Sequence, residues 1–452
     1  MVSSRVPGEW ILNQALGSGL SIAPTHPHAL RRDADRSPRR PTNSLTRPVQ
    51  KNHKPGWPIA EHGRYHPGMD SAALSQIIEI VRNSAQLGRA LRVCGGGTKD
   101  FVGGPSAALS KAERLDLRAL AGVVDYEPSE LVVTVRAGTP LAELEALLAQ
   151  NGQCLPFEPP RFGVGGTVGG MVASGLSGPA RASVGAVRDY VLGIEIINGK
   201  GELLRFGGQV MKNVAGYDLS RLMAGSWGTL GVITEVSLKV LPIAPAEATL
   251  RFDLDQRDAL QRLHAWGGQP LPLNASCWVH DADDDAEGGK GQLYVRLRGA
   301  KAAVEAARGS MGGELQDAAQ TAGDWEACRD HTLPWFADRA QQPKNQELAL
   351  WRLSVPQTAP VLALPQGVAA PLIEWQGALR WVQAPVECGP ALQAVAQAAG
   401  GHAQMFAAPL AGVTFDIEPK ASDAALAAVA KRLKQAFDPA GVFQPNRMGA
   451  GA

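Results

Sequence analysis

The sequence predicts an α+β fold in two domains, and three observations carry that prediction. Up to residue 245, short apolar runs suited to strands alternate with helix-period segments. Two glycine-rich segments, 91–99 (LRVCGGGTK) and 162–178 (FGVGGTVGGMVASGLSG), lie within that stretch about seventy residues apart, followed by a third at 225–235 (GSWGTLGVITE). Beyond Pro242 and Pro245 the strand and helix patterns resume without repeating the earlier sequence, which marks a second domain.

Each element has its own reason. Residues 72–87 read as a helix, because Leu74, Ile77, Ile78 and Val81 fall at i, i+3, i+4 and i+7. Asp70-Ser71 supplies an N-cap directly after Met69. Strand 90–93 runs into the first glycine segment, and 131–135 (LVVTV) is a second strand. Thr139 then caps a helix with Pro140 at its first position and Leu141, Leu144, Leu147 and Leu148 on one face. Asn151-Gly152 ends that helix. Strands follow at 191–197 and 232–240, with a tight turn at 198–201 before Leu203. In the second domain strands are expected at 248–253, 292–298, 348–355, 377–382 and 413–417, and helices at 256–265, 301–308, 391–399 and 422–437. Segments 312–342 and 357–367 read as loops. The helices are expected to cover one face of a sheet.

Composition excludes several classes. The 452 residues suffice for two or three domains with cores. No run approaches twenty apolar residues, so a transmembrane helix is not expected. A net charge of +1 gives no electrostatic case for nucleic acid. The five cysteines, Cys94, Cys154, Cys277, Cys328 and Cys388, are odd in number, widely spaced and form no C-x-x-C. They read as small core residues in a reducing compartment, with no metal site and no iron–sulfur cluster in this chain.

Residues 1–68 differ from the rest. They carry ten Lys/Arg against four Asp/Glu and hold nine of the 32 prolines, without a sustained period. The segment is expected to be disordered, or a spurious extension upstream of a true start at Met69. It makes a poor secretory signal, because its apolar stretch follows Glu9 and contains Asn13, Gln14 and Ser18.

The glycine segments carry the chemistry. Three consecutive glycines, Gly95, Gly96 and Gly97, flanked by Arg92, Thr98 and Lys99, are suited to a nest of backbone N–H donors for phosphate oxygens. An ordinary flexible turn is the alternative. The order is wrong for a Walker loop, and the pattern from Gly163 places Val168 where the Rossmann fingerprint needs its third glycine. A dinucleotide held by another fold remains. In the second segment, the small residues Ala173, Ser174 and Gly175 suit close approach by a ligand, or tight packing alone. Arg188–Asp189, before the strand at 191, reads as a segment near a ligand or as a surface ion pair of little worth. Segment 211–222 (MKNVAGYDLSRL) brings Lys212, Asn213, Tyr217 and Asp218 beside the glycines at 225 and 228, or is simply a capped surface helix.

The order of these segments carries a resemblance. GGGT, then PPxFGxxxTxGGxxA, GxVRDxVLG, KNxxGYDLxxL and GxxGxLGVITE is similar to the PCMH-type FAD-binding domain of the vanillyl-alcohol-oxidase superfamily. The terminal segment Phe437-Asp438-Pro439-Ala440-Gly441-Val442-Phe443 resembles the one that closes such oxidases. Within the superfamily, Glu158-Pro159-Pro160, Gly169–Ala173, Leu204–Gly208 and Val210–Leu222 most resemble the FAD-binding subunit of bacterial glycolate oxidase. The likeness spans about 69–448 and is most specific over 204–241.

The resemblance implies a two-lobed FAD-binding domain over 69–245 and an α+β cap domain over 246–448. The cap would include the closing segment of the first domain. Non-covalent FAD is the implied cofactor. Gly95, Gly96, Gly97, Thr98 and Lys99 match the pyrophosphate loop. Pro160, Thr167, Gly169, Gly170, Ala173 and Ser174 match the segment along the diphosphate and flavin. Gly185, Arg188 and Asp189 match the adenosine side, and Gly228 and Ile233 match the last contact strand. The implied partners are a second FAD-binding subunit, an iron–sulfur subunit and a small 2-hydroxy acid. The implied place is the cytoplasm, at the inner membrane through those partners.

The chain departs from the pattern in two ways. It lacks the H-x-G-D-G-N-x-H segment that many flavin 2-hydroxyacid dehydrogenases carry in the cap, and its ending reads Gln444-Pro445-Asn446-Arg447. Oxidising a hydroxy acid needs a base for the hydroxyl proton and a cation for the carboxylate. Lys212, Tyr217, Arg161 and Arg329 are candidates, none singled out by spacing. A stand-alone oxidase of another hydroxy acid or alcohol, and a non-catalytic flavin-binding or assembly subunit, are the alternatives.

Overall fold

The computed structural model describes residues 67–103, 107–208, 218–280, 290–341, 345–410 and 424–445. The fold is α+β. Helix α1 (Pro67–Leu87) leads to β1 (Leu91–Cys94), α2 (Ala107–Lys111) and β2 (Glu113–Asp116). Strands β1 and β2 pair in parallel. Their core packs Ile77, Val81, Leu91, Leu115, Leu117 and Leu120 with Val442 and Phe443 from the far end of the chain. The α1 helix begins at Pro67 and runs through Asp70-Ser71, so the expected N-cap there does not form. Proline is well suited to a first helical turn, where its missing N–H is not needed.

A second lobe follows. Its elements are β3 (Val123–Glu127), β4 (Val132–Arg136), α3 (Leu141–Gln150), β5 (Gln153–Cys154), α4 (Val168–Ser174), α5 (Arg181–Val184), β6 (Val191–Ile197), β7 (Leu203–Gly207), α6 (Leu219–Met223), β8 (Val232–Lys239) and β9 (Leu241–Pro242). The sheet is antiparallel, in the order β3-β4-β8-β6-β7. Leu141, Leu144 and Leu148 of α3 are buried in its core. Thr139 does not cap α3. Its hydroxyl instead closes the preceding turn, donating to the Arg136 carbonyl at 2.7 Å and accepting from Gly122 N–H at 3.0 Å.

The remaining strands form one antiparallel sheet. The segment contains β10 (Ala246–Asp253), α7 (Gln256–Gly267), β11 (Leu273–His280), β12 (Gly291–Gly299), α8 (Lys301–Met311), β13 (Glu314–Leu315), α9 (Ala318–Arg329), α10 (Pro334–Gln341), β14 (Ala349–Ser354), β15 (Leu372–Glu374), β16 (Leu379–Ala384), α11 (Gly389–Ala398) and β17 (His402–Ala407). The order is β13-β10-β12-β11-β15-β16-β14-β17. Helix α12 (Ala424–Phe437) follows and returns the chain to the first lobe. The strand expected at 413–417 lies outside the described residues.

Alternation along the strands gives this sheet two apolar faces. Leu250, Leu293, Val295 and Leu297 turn towards α7 and α8, and Trp351, Leu353 and Val382 towards α11. The other face carries Ala275, Cys277, Leu350, Leu379, Trp381 and Phe406, and packs on Phe162 and Leu176 of the first domain. Segment 312–342, expected as a loop, supplies α9 and α10 to this second face, so helices cover both. Helix α9 was hidden because its buried residues are Thr321, Trp325 and Cys328, one polar and two not strongly helix-forming, so no hydrophobic period shows. Asp317 caps it, accepting from the N–H groups of Ala319 and Gln320.

A buried ion network ties the cap sheet to the first domain. Arg296 clamps Glu158 through Nη2 at 2.6 and 2.7 Å, and Arg298 adds a contact at 3.0 Å. Burial alone would raise the Glu158 carboxyl, but the two guanidiniums hold it below the usual carboxylate range. The cysteines form no disulfide. Cys94, Cys277 and Cys328 are buried, while Cys154 and Cys388 are half-buried.

Candidate functional site

The first glycine segment leaves β1 and meets the second where it enters α4. A Cβ at Gly96 would lie 1.8 Å from the carbonyl oxygen of Gly165, and one at Gly95 2.3 Å from Thr167 Oγ1. Glycine is what lets these two loops touch. Gly169 has a similar reason. A Cβ there would meet Ala137 of the turn after β4 at 2.7 Å, so the small residue seats α4 on the sheet. At Gly170, by contrast, a side chain would meet only Thr167 Oγ1, at 3.3 Å.

The loops line a cleft between the lobes. Gly95, Gly96, Gly97, Thr98, Lys99, Thr167, Gly169, Gly170, Ala173, Ser174, Gly228 and Ile233 all line it. Thr167 caps α4, its hydroxyl accepting from Gly170 N–H at 3.2 Å. Lys99 is 8 % exposed, with Nζ 3.5 Å from Thr98 Oγ1 and 5.8 Å from the Phe162 ring centre. Burial pulls the Lys99 ammonium down to about 8, against Asp330 and Glu145, which push it up.

The other candidate residues lie elsewhere. Pro160 lines a second, more enclosed space. Gly185 ends α5 with φ +97°, and Asp189 accepts from Ala186 N–H at 2.8 Å, while Arg188 Nε stands 3.9 Å from Asp189. Neither Gly185 nor this pair lines the cleft. Arg161 is engaged by Glu145 at 2.7 Å, and Arg329 by Asp330 at 2.7 Å. Lys212 and Tyr217 lie outside the described residues.

The second space is a small chamber of about 20 Å³ between the domains. Leu176, Ser177 and Gly178, just past α4, form part of its wall with Pro160 and Phe162, and the cap sheet, the end of α9 and its following loop form the rest. It holds Arg352, Glu374 and His331 among Trp375, Trp381, Phe162 and Phe406. His331 stacks on Phe336 at 4.4 Å, and burial drives its imidazole down to about 3, so it is neutral at ordinary pH. Glu374 accepts from the Trp381 indole at 2.7 Å, and burial lifts its carboxyl to about 7. The sequence singles out none of Arg352, Glu374 and His331. Each is an ordinary polar residue on an apolar strand or loop; the pairing of β14, β15 and β16 brings Arg352 and Glu374 together, and packing on Phe336 and Trp381 brings His331 to them.

The cleft fits FAD. Its glycine walls leave room beside Gly170, Lys99 offers a cation, and Gln444 supplies an acceptor. Gln444 Nε2 donates to the Val93 carbonyl at 2.7 Å, while Oε1 is buried with no hydrogen-bond partner. That oxygen suits an N–H of a bound ring system. The Gln444 position was readable in the closing segment, but its role was not.

A glycine-lined cleft between two lobes, followed in the chain by an antiparallel cap sheet, defines an FAD-dependent oxidoreductase. Residues 72–207 match the family described as "FAD binding domain". The chain is 42% identical over 380 residues to glycolate oxidase subunit GlcE of Escherichia coli (strain K12), covering 84% of this chain and 97% of that protein. It belongs to the family of that subunit. It is also 28% identical to a D-2-hydroxyglutarate dehydrogenase of Xanthomonas citri pv. viticola, over 64% of this chain and 61% of that one. Identity to glycolate oxidase subunit GlcD of Bacillus subtilis (strain 168) is 30%, over 39% of each. The solved structure of an alkyldihydroxyacetonephosphate synthase shares the fold, with a TM-score of 0.57 at 16% identity over 81% of this chain and 74% of that one. Among the described residues no helix is long and apolar enough to cross a membrane.

Lys99 yields a pH prediction. Its ammonium is charged below about 8 and neutral above, and an anionic diphosphate beside it favours the charged form. FAD affinity of the flavin-free chain is therefore expected to be highest below pH 8 and to fall as pH rises through 9. Lys99→Gln should flatten that profile and weaken binding about tenfold or more at pH 7, the loss of one charge-assisted hydrogen bond. Titrating FAD fluorescence quenching across pH checks both. An unchanged profile in the variant would remove Lys99 from the phosphate site.

Proposed function

We propose that this chain is the FAD-binding subunit of a glycolate oxidase complex. The complex oxidises glycolate, or a similar small 2-hydroxy acid, to glyoxylate and passes electrons to an iron–sulfur subunit. A second FAD-binding subunit completes the assembly, which meets the inner membrane through these partners. The observation that carries the reading is the continuity of cleft and chamber. The cleft wall ends at Ser174, the chamber wall starts at Leu176, and Lys99 of the cleft reaches over Phe162 of the chamber.

Bound FAD supplies the hydride acceptor for the carbon that bears the hydroxyl. The protein residues do the rest. The loops at 95–99 and 165–170 would hold the diphosphate through backbone N–H groups, aided by Lys99. Gln444 Oε1 would accept from an N–H of the ring system. Gly185, Arg188 and Asp189 would serve the adenosine side from beyond the cleft walls. The rings of Phe162, Trp381 and Phe406 exclude water from the chamber, where charges then act more strongly.

The test is an absorbance spectrum of the purified full-length chain, followed by glycolate without air. Flavin bands that bleach are the expected result. Bands that persist, while the whole complex turns over glycolate, would leave oxidation to another subunit. A chain purified without flavin that takes up no added FAD would overturn the cofactor assignment.

A further inference from the structure

We propose that a cavity beside the chamber binds a flat, uncharged aromatic ring that carries a carbonyl oxygen, the chemistry of a quinone. The site is separate from the FAD cleft, and the inference goes beyond the functional reading above without depending on it.

The cavity holds about 750 Å³, within the range of small-molecule sites. It lies between helices α9 and α10 of the cap and the first-domain loops that carry Phe101 and Phe162. None of the residues expected to hold FAD lines it. Its decisive group is Arg339 of α10, which is 8 % exposed. Nη2 donates to the Ala408 carbonyl, whereas the Nε–H is buried and meets no acceptor. Among the described residues no carboxylate pairs with Arg339, and burial alone lowers its guanidinium. A buried donor of this kind calls for an acceptor, and a ligand that enters the cavity can supply one.

The charges on the wall decide what sort of acceptor fits. Asp330 and Glu326 line the same cavity. Burial would raise the Asp330 carboxyl, but the Arg329 side chain and the Arg161 N–H hold it below the usual carboxylate range, so it is ionised. His331 is neutral there. One guanidinium against two carboxylates gives an anion little to gain. An uncharged carbonyl oxygen takes the hydrogen bond from a cationic donor without that repulsion.

The remaining walls are aromatic and aliphatic. Phe336 stacks on His331 with ring planes 12° apart, and Phe101 meets Phe162 edge to face at 5.2 Å. Such rings pair with another flat ring by face or edge. Phe101 is 43 % exposed and Leu410 54 %, so the mouth offers apolar surface to a ligand. Phe162 and His331 hold positive φ, at 52° and 55°, and strain of this kind gathers at binding sites.

The test uses the purified full-length chain with its flavin and reads binding by calorimetry, without glycolate. Duroquinone is the probe, because its fully methylated ring offers no position for thiol addition and Cys154 and Cys388 are only half-buried. Durene, the same ring without carbonyls, and pentamethylbenzoate, an anionic ring of like size, are the comparisons. Duroquinone is expected to bind saturably, and both comparisons about tenfold or more weaker. Arg339→Met should weaken duroquinone about tenfold and leave durene within about twofold, a split that a merely structural role for Arg339 would not produce. A second variant acts without removing Arg339. Gly323 lies on α9 at the cavity wall, and a Cβ there would meet nothing within 4 Å. Gly323→Trp therefore fills the cavity from the helix surface and is expected to abolish binding. Wild-type affinity for duroquinone in a folded Arg339→Met or Gly323→Trp chain would overturn the proposal. So would no binding to the wild type, or equal binding of pentamethylbenzoate. A chain that binds duroquinone through Arg339 while its flavin ignores glycolate would keep this site and sink the functional reading alone.

Discussion

A Gly96→Ala chain is expected to purify folded but without flavin. The added methyl would sit 1.8 Å from the carbonyl oxygen of Gly165, and that oxygen is backbone, not the tip of a flexible side chain. The two loops must part. Overpacking of this kind costs about 1–3 kcal/mol where a core relaxes, and more where backbone must shift. The larger loss falls on the ligand, because the N–H groups of 95–99 and 165–170 must converge on the same diphosphate. Flavin retained per protein is expected to drop below about a tenth of wild type, with a modest fall in melting temperature. Gly170→Ala is the comparison, since its methyl meets only Thr167 Oγ1 at 3.3 Å. Full flavin content in Gly96→Ala would show that contact between the loops does not shape the cofactor site.

Asp438→Ala is expected to give the largest loss of stability. The side chain of Asp438 is fully buried and accepts from Val442 N–H at 3.0 Å, Phe443 N–H at 2.9 Å and Lys434 Nζ at 2.7 Å. Lys434 also donates to the carbonyls of Thr229 and Phe443. Removing the carboxylate leaves a mostly buried ammonium without its counter-charge and two backbone donors without acceptors. Breaking such a pair costs about 3–5 kcal/mol. The melting midpoint should fall by roughly 10 °C. Lys434→Met in the Asp438→Ala background should recover part of the loss, because removing both partners costs less than removing one. Thermal unfolding of the four chains decides it, and a midpoint within about 2 °C of wild type for Asp438→Ala would refute the role of the clasp.

Much of the fold was legible in the sequence, because its periods are strong. Strand β6 was read at its observed bounds, and α3, α7, α8, β10 and β12 to within a few residues, since each presents a clean apolar face. Short or mixed strands were not. Residues 273–280, 372–374 and 402–407 show no period long enough to stand out, and they form strands because their neighbours pair with them. The cofactor cleft was legible because glycine is a backbone signal that survives in one dimension. Arg352, Glu374 and His331 were not, because nothing local distinguishes a buried charge from an exposed one. Gly185, Arg188 and Asp189, expected on the adenosine side, were reached through resemblance alone and lie away from the cleft walls.

The return of the chain end to β1 has a consequence for biosynthesis. Phe443 bridges Leu91 in parallel, Val442 accepts from Leu91 N–H at 2.6 Å, and Gln444 completes the cleft. The first lobe therefore stays unfinished until residues 442–444 have been made, even though its own strands emerge hundreds of residues earlier. Flavin capture by this lobe is thus tied to the synthesis of a segment some 350 residues downstream of β1. Until that segment emerges, the nascent lobe exposes the apolar surface that Val442 and Phe443 later cover.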